Sequence, residues 1–459
     1  MYQDLSFMKI PLPEDVLKLK NFGDYEGALK MIKHFLGKEI PTALRKRLEI
    51  EEEIIRVMGS DEYPYSYDEA LDILRKNIKD FKDEELQELK EIGAADWIYI
   101  DGKVHFQKRF YDTLVKTRPA YAERVMVPDD DEVRYAQVKN KVLNGNIAMM
   151  KEKGGRTVRT RIRSTIQAKK EFEEAGRKVR VHLPIPKVYQ QVKNVEILAS
   201  SPEITYVAPE DADQRTVYFE TELKEDQEFM VEYSYEYHID YVELDPAKVE
   251  AEQPTFYLEE QEPHIMFTPY LKELAKELMG DETNPIIIAR RFYDFVTTKV
   301  MYAFMREYFT IECIPEYCAL NLKGDCGVQA LLFITLCRIA GIPAKWQAGL
   351  YVTDYDIGCH DWAQFYIAPY GWVFADCSFG GSAWREGQFE RWNYYFGNLD
   401  IFRMPSCSEI VKEFDPPKKW LRGDPIDNQR GEFEYEDHGL LYSQLEVKQE
   451  LISMEEIED

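Results

Sequence analysis

The stretch Gly324-Asp325-Cys326-Gly327, continued by VQALLFITLCRIA over residues 328–340 and closed by Gly341-Ile342-Pro343, decides the fold. Val328, Leu331, Leu332, Phe333, Ile334, Leu336 and Ile339 leave no polar face, so this segment reads as a helix at the centre of its domain. Gly341 and Pro343 end it. Cys326 therefore opens a buried helix, where the positive end of the dipole favours a thiolate and lowers the thiol pKa below its free value of ~8.5. Gly324 and Gly327 allow a tight turn and close approach of a substrate backbone. Buried cysteines are commonly small hydrophobes, a role that suits Cys337 inside the helix. Glycines and an aspartate do not make such a socket for Cys326.

Downstream, His360 starts HDWAQFYI, the turn APYG follows, and GWVFAD ends on Asp376. A turn centred near Pro369 sets Asp376 opposite Trp362 and diagonal to His360, with Cα atoms roughly 7–8 Å apart. Asp376 could then accept from one imidazole nitrogen while the other faces Cys326. A helix-start thiol, a base and an orienting carboxylate make a Cys-His-Asp triad.

These motifs together resemble the transglutaminase-like domain of the papain-like thiol enzyme group. Arg338, Gly341, Ile342, Pro343 and Ala344 match the family's helix end, and His360, Trp362, Gly371, Trp372 and Asp376 match its two strands. Two positions depart from the pattern: Gln364 stands where Glu is frequent, and Cys377 replaces the usual Pro. The resemblance implies an acyl-thioester on Cys326, with His360 and Asp376 completing the triad. It implies an oxyanion site made by the Cys326 backbone N–H and an upstream side chain, for which Tyr302 is the candidate, set against a core tyrosine of a helix 286–304. Trp362 and Trp384 are further substrate-side candidates. Trp392, Tyr394 and Tyr395 read as loop-packing aromatics, Arg338 as a cap of its own helix, and Arg403 as pinning the Asn398-Leu399-Asp400 loop.

The rest of the chain reads as an α+β multidomain protein of 459 residues. Residues 1–132 are mostly helical, with a hairpin around Asp101-Gly102. The acidic run from Pro128 to Glu132 reads as an exposed linker. Residues 133–250 read as a leading helix and an antiparallel β-sandwich, the latter again resembling what precedes this core in bacterial relatives. Strand alternation puts Arg159, Arg161 and Arg163 of its first strand on one solvated face and Arg156 on the other. The papain-like transglutaminase core, a Cys-bearing helix packed on an antiparallel sheet, spans 266–405. Residues 406–459 form an extension with a small strand pair and an acidic tail read as a frayed helix. The loops SFGGSAWREG and RWNYYFGNLD read as mobile, Gly-rich walls of the site.

A net charge of −26 argues against nucleic acid or an anionic membrane as partner and leaves a protein or peptide substrate. Seven cysteines, all between Cys313 and Cys407, fit reduced thiols in a cytoplasm better than a secreted disulfide framework. Only Cys313 and Cys318 approach zinc-ligand spacing, so no metal or cofactor is expected. The leading function is a cysteine peptidase or amidase. A protein-glutamine transglutaminase is the alternative, because acylation is the same in both. Peptide N-glycanase ranks lower, since its paired C-x-x-C motifs are missing, and a non-catalytic scaffold lower still.

Overall fold

The computed structural model describes residues 4–126 and 130–457, the side chains of 130–134 and 136 excepted. Helices α1 (Glu14–Asn21), α2 (Tyr25–Leu36) and α3 (Thr42–Val57) come first and bury Val16, Ala28, Ile32, Leu48 and Ile54. Arg47 of α3 is buried and bonds Glu51 at 2.7 Å and Glu312 at 3.2 Å, so these helices are tied to the later chain. A two-residue strand β1 (Tyr65–Ser66) leads into α4 (Tyr67–Asn77), started by a Ser66–Glu69 capping box. Then follow α5 (Asp83–Glu91), strands β2 (Trp97–Ile100) and β3 (Lys103–Phe106), α6 (Phe110–Thr117) and the short α7 (Pro119–Ala122). Asp101 and Gly102 turn the β2–β3 hairpin, both at positive φ, as an Asp-Gly pair permits. Leu74, Leu86, Leu89, Phe106, Phe110 and Leu114 make a small core of their own.

The long helix α8 (Asp130–Lys153) follows; the acidic run read as a linker begins at Pro128, outside the described residues. Strands β4 (Gly155–Ala168), β5 (Lys178–Pro184), β6 (Val192–Ser201), β7 (Tyr206–Val207), β8 (Thr216–Glu222) and β9 (Phe229–Asp240) form parts of two antiparallel sheets. Their inward residues, such as Ile162, Val181, Phe219 and Tyr233, join one continuous apolar core. On β4, Arg159 pairs with Glu236, and Arg161 and Arg163 share Glu232. Arg156 lies on the other face, against Asn146 and Glu456.

The next unit contains α9 (Pro269–Met279), α10 (Pro285–Lys299), β10 (Met301–Tyr302), α11 (Ile314–Asn321), β11 (Lys323–Gly324) and α12 (Cys326–Ile339). Its sheet uses β12 (Ala344–Val352), β13 (Ile357–Ile367) and β14 (Gly371–Ala375), followed by α13 (Cys377–Arg385), α14 (Phe389–Tyr394), β15 (Phe396–Gly397) and β16 (Arg403–Cys407). The strand order is β15-β14-β13-β12-β16, antiparallel throughout. The apolar α12 lies against β13 and β12 on one side and α10 and α11 on the other, which explains why it has no polar stripe. Gly341 closes it at φ +77°. Arg338 does not cap its own helix: its guanidinium donates to the carbonyls of Ala344 and Glu259, both at 2.8 Å.

Of the stretches read as mobile loops, SFGGSAWREG is mostly helix α13, and RWNYYFGNLD ends α14, passes through β15 and closes as the loop Asn398–Asp400. Asp376 caps α13 by accepting from the Phe379 N–H at 3.0 Å. A Cβ on Gly380 would come within 2.7 Å of Tyr293 Cζ, so this glycine serves close packing of α13 on α10. Trp392, Tyr394 and Tyr395 pack inward: Trp392 donates to Thr297, and the two tyrosines are buried.

The C-terminal extension turns back into the two earlier sheets. Strand β17 (Glu432–Tyr435) extends one to β17-β5-β8-β7, and β18 (Leu445–Ile457) extends the other to β18-β4-β9-β6. The tail is therefore a strand, not a frayed helix. Its acids sit across from the basic β4: Glu450 faces Arg163 and Glu455 faces Arg159, while Leu445, Val447 and Leu451 pack on the core. Cross-strand charge pairing and edge hydrogen bonds override a weak local helix preference. Truncation after Gln444 is expected to lower the melting temperature by several degrees and promote aggregation through the bared β4 edge. An unchanged thermal melt would show that β18 adds nothing to stability.

Candidate functional site

Cys326, His360 and Tyr302 line one cavity of about 720 Å³. Each arrives by a different element. Asp325 is the N-cap of α12, accepting from the Val328 N–H at 3.3 Å, and this places Cys326 at the first helical position. The parallel pairing of β10 with β11, Tyr302 abreast of Gly324, brings Tyr302 beside the start of α12. His360 is abreast of Gly349 within the β12–β13 pair. The β13–β14 register, Gln364 with Phe374 and Ala363 with Ala375, continues to set Asp376 abreast of Trp362 and diagonal to His360.

His360 Nε2 lies 2.7 Å from Asp376 Oδ2. That leaves Nδ1 as the second ring nitrogen. Asp376 is fully buried, and its Oδ2 also meets Arg403 Nη2 at 3.0 Å. Arg403 in turn forks onto Asp400, with Nε to Oδ1 at 3.0 Å and Nη2 to Oδ2 at 2.7 Å, and Tyr395 donates to the same carboxylate. Burial would raise the Asp376 carboxyl, but His360 and Arg403 outweigh it and hold it below the ordinary carboxylate value. Burial pulls the His360 imidazole down; Asp376 pulls it up and Arg403 down again, with a net lowering. A neutral imidazole ready to accept a proton is the result.

The thiol has a neighbour that strand alternation conceals. Cys326 Sγ donates to Asp361 Oδ2 at 3.3 Å. Asp361 is buried, and Gln429 donates to its other oxygen at 2.5 Å. Burial first, then Asp361 and Asp325, push the Cys326 thiol well above its usual value, whereas a hydrogen bond with the Asp361 backbone works the other way. The helix start alone leads to a low thiol pKa; burial, and then two carboxyls around the sulfur, reverse that expectation.

Residues 272–377, which carry the thiol, the imidazole and the carboxylate, match the transglutaminase-like superfamily. The chain carries a transglutaminase-like core. A stretch of 141 residues is 26% identical to an uncharacterised protein of Haemophilus influenzae, covering 25% of this chain and 37% of that relative's length. Among solved structures, the "Putative Cysteine Protease" from Cytophaga hutchinsonii is 12% identical, covers 66% of this chain and 90% of its own, and gives a TM-score of 0.37. The periplasmic domain of TgpA from Pseudomonas aeruginosa is 14% identical, with 52% and 91% coverage and a TM-score of 0.28.

In this transglutaminase-like core the remaining sequence candidates separate. Tyr302 lies on β10 at the cavity wall, beyond the helix that ends at Lys299, and not in a helical core. Trp362 stands behind His360, fully buried, with Nε1 donating to Gln347 at 2.7 Å, and does not line the cavity. Trp384, partly exposed on α13, does not line it either. Gln364 is buried and donates to Gln190 at 2.6 Å, a contact with the preceding sheets. Arg403 pins Asp400 as read, but its bond to Asp376 was missed. A buried arginine on a strand far along the chain gave no spacing signal. Asp361 was missed because alternation assigns it to the face opposite His360; an acid beside the base was the available clue.

Cations gather along the cavity wall. Lys116 lies 3.7 Å from the centre of the Tyr302 ring, and burial, then Lys139, bring its ammonium down to about 8. Glu386 is held by Lys139 and Arg391, and Asp356 by the Tyr135 hydroxyl. Lys116 and Arg385 make no ion pair with a described residue.

Replacing Arg403 by Met strands the buried carboxylates of Asp376 and Asp400. The expected cost is about 3–5 kcal/mol of unfolding free energy. Denaturant titration checks it, and a loss below about 1 kcal/mol would mean that the arginine does not hold the two acids together.

Proposed function

We propose that the chain is a thiol enzyme acting on peptide or amide bonds, with Cys326 as nucleophile, His360 as general base and acid, and Asp376 as the group that orients the imidazole. The observation that supports this reading is the shared cavity of Cys326 and His360, with Asp376 bonded to Nε2 of the imidazole and Nδ1 left over. His360 Nδ1 takes the thiol proton, and the thiolate adds to the substrate carbonyl. His360 then returns the proton to the leaving amine as the carbon–nitrogen bond breaks. The resulting thioester is resolved when His360 removes a proton from water and the hydroxyl displaces sulfur, which regains its proton. The Cys326 N–H at the start of α12 and the Tyr302 hydroxyl are the donors suited to the developing oxyanion. Proteins or peptides are the proposed substrates, and the seven free cysteines support a reducing compartment. The two earlier sheets are read as a β-sandwich that braces the core.

Hydrolysis is favoured over transfer on electrostatic grounds. A transglutaminase must bring a lysine ammonium to the thioester and keep water away. Here four cations, Lys116, Lys139, Arg385 and Arg391, line the cavity against two acids, Asp356 and Glu386, and neither Lys116 nor Arg385 makes an ion pair with a described residue. A second ammonium would be repelled, whereas water is not.

Two outcomes are expected. Cys326→Ala and His360→Ala each lower kcat/KM on a cleavable peptide or amide by at least ~10⁴-fold. In a partition experiment, an acyl donor is offered with rising primary amine, and acid and adduct are quantified by mass. Acid should dominate at low millimolar amine. Dominant adduct there would make the chain a transferase, and no acylation of Cys326 by any donor in a peptide library would remove the enzymatic reading.

A further inference from the structure

The Asp361 carboxyl is held against the sulfur by three separate parts of the chain. Strand β13 supplies Asp361 itself, at 3% exposure. The first turn of α12 supplies Cys326, whose S–H donates to Oδ2 at 3.3 Å, and Gly327, where a Cβ would stand 2.7 Å from that oxygen. The segment after β16 supplies Gln429, which donates to Oδ1 at 2.5 Å and to the His360 carbonyl at 3.2 Å. A buried carboxyl so placed is expected to have a cation, yet Asp361 makes no ion pair with a described residue.

The groups that face it are mostly acids. Asp325 approaches from the cap of α12 and carries the Tyr308 hydroxyl at 2.5 Å. Asp424 and Asp427 approach from the C-terminal segment, and Asp427 shares a hydrogen bond with Asp361. Cys407 of β16 and Cys359 of β13 complete the surroundings, the latter beside Arg430. The proton of the thiol thus has two possible destinations, His360 and Asp361, and only one of them leads to an ion pair competent for attack.

We propose that Asp361 is a second proton partner of Cys326, and that its ionisation state decides whether the thiolate forms. When Asp361 is ionised, it accepts the S–H bond and its charge opposes a neighbouring thiolate. When Asp361 is protonated, its O–H becomes the donor to sulfur, and the thiol proton passes to His360 Nδ1. Sulfur then carries the negative charge, the imidazole the positive one, and Asp361 keeps its own proton. Burial, then Asp325, lift the Asp361 carboxyl to about 7, so the change falls near neutrality. A carboxyl raised in this way is neutral below that pH and charged above it, so the thiolate is favoured on the acid side.

This rests on Cys326 being the nucleophile, but its test does not need a substrate. The rate of iodoacetamide labelling of Cys326 is measured by peptide mass spectrometry on the full chain from pH 5.5 to 9, with Cys359 followed as a separate peptide. An ordinary thiol labels faster as pH rises towards ~8.5. The wild-type Cys326 rate should instead pass through a maximum below neutrality and fall across pH 7 to 8. Asp361→Asn keeps a donor and removes the charge. It should abolish that fall and label about tenfold faster than wild type at pH 8, as expected for relief of about one pKa unit of like-charge opposition. A merely structural role would alter the melting temperature without moving the profile. If the variant does not fold, the wild-type profile decides alone: a monotonic rise to pH 9 overturns the proposal. An equal rate in folded Asp361→Asn and wild type at pH 8 does the same. Failure of the enzymatic reading shows differently, as absence of turnover with the labelling profile intact.

Discussion

One guanidinium organises the site. Arg403 is fully buried on β16 and divides its donors between Asp376 and Asp400. Burying a cation costs several kcal/mol unless its partners are close and well aligned, and here two carboxylates are. Asp376 is thereby fixed from two sides, by Arg403 and by its own cap on α13, and His360 is oriented by what remains of its Oδ2. Tyr235 of β9 donates to the Arg403 carbonyl at 3.0 Å, so the earlier sheets support the same residue. The position of the imidazole therefore depends, through Arg403, on a residue of the earlier sheets that precedes that arginine by 168 positions.

Charge around the cavity is divided between the thiol and the opposing wall. Asp361 and Asp325 stand close to the Cys326 sulfur, and Asp424 and Asp427 stand behind them, close to Asp361. The wall carries Lys116, Lys139 and Arg385. In a chain of net charge −26 this local cationic wall is the exception, and it bears on which molecules approach the thioester. The acids have the opposite effect on the sulfur, since each nearby carboxylate resists formation of a second negative charge. A helix dipole contributes only a fraction of an elementary charge at its end, and burial of the sulfur together with two neighbouring acids outweighs it.

The C-terminal segment serves both neighbours. Its strands close the two earlier sheets, and just before the first of them Gln429 reaches back to His360 and Asp361. The basic stripe of β4 lies between two acidic strands: its arginines pair with Glu232 and Glu236 of β9, and the acids of β18 stand abreast on the other side.

Much of the core was legible because its signals are local. The all-round apolar run fixed α12 at the centre, Gly341 marked its end, and period-two alternation with a turn near Pro369 set Asp376 diagonal to His360, as the register has it. The Asp101-Gly102 hairpin and the facing of the β4 arginines follow from equally local rules. What the tertiary structure alone decided concerns residues that meet across long separations. The helices α13 and α14 read as loops because glycine is scored for freedom, whereas Gly380 is needed for contact with Tyr293. The tail read as a weak helix because its strand partner lies some 290 residues earlier. Arg403 and Asp361 carry no motif; their roles come from the carboxylate and the sulfur that folding brings to them. Helix ends, turns and alternation are properties of neighbouring residues. A proton's partner or a buried charge's counter-ion is set by whatever shares a low-dielectric space with it, and only the packed chain defines that space.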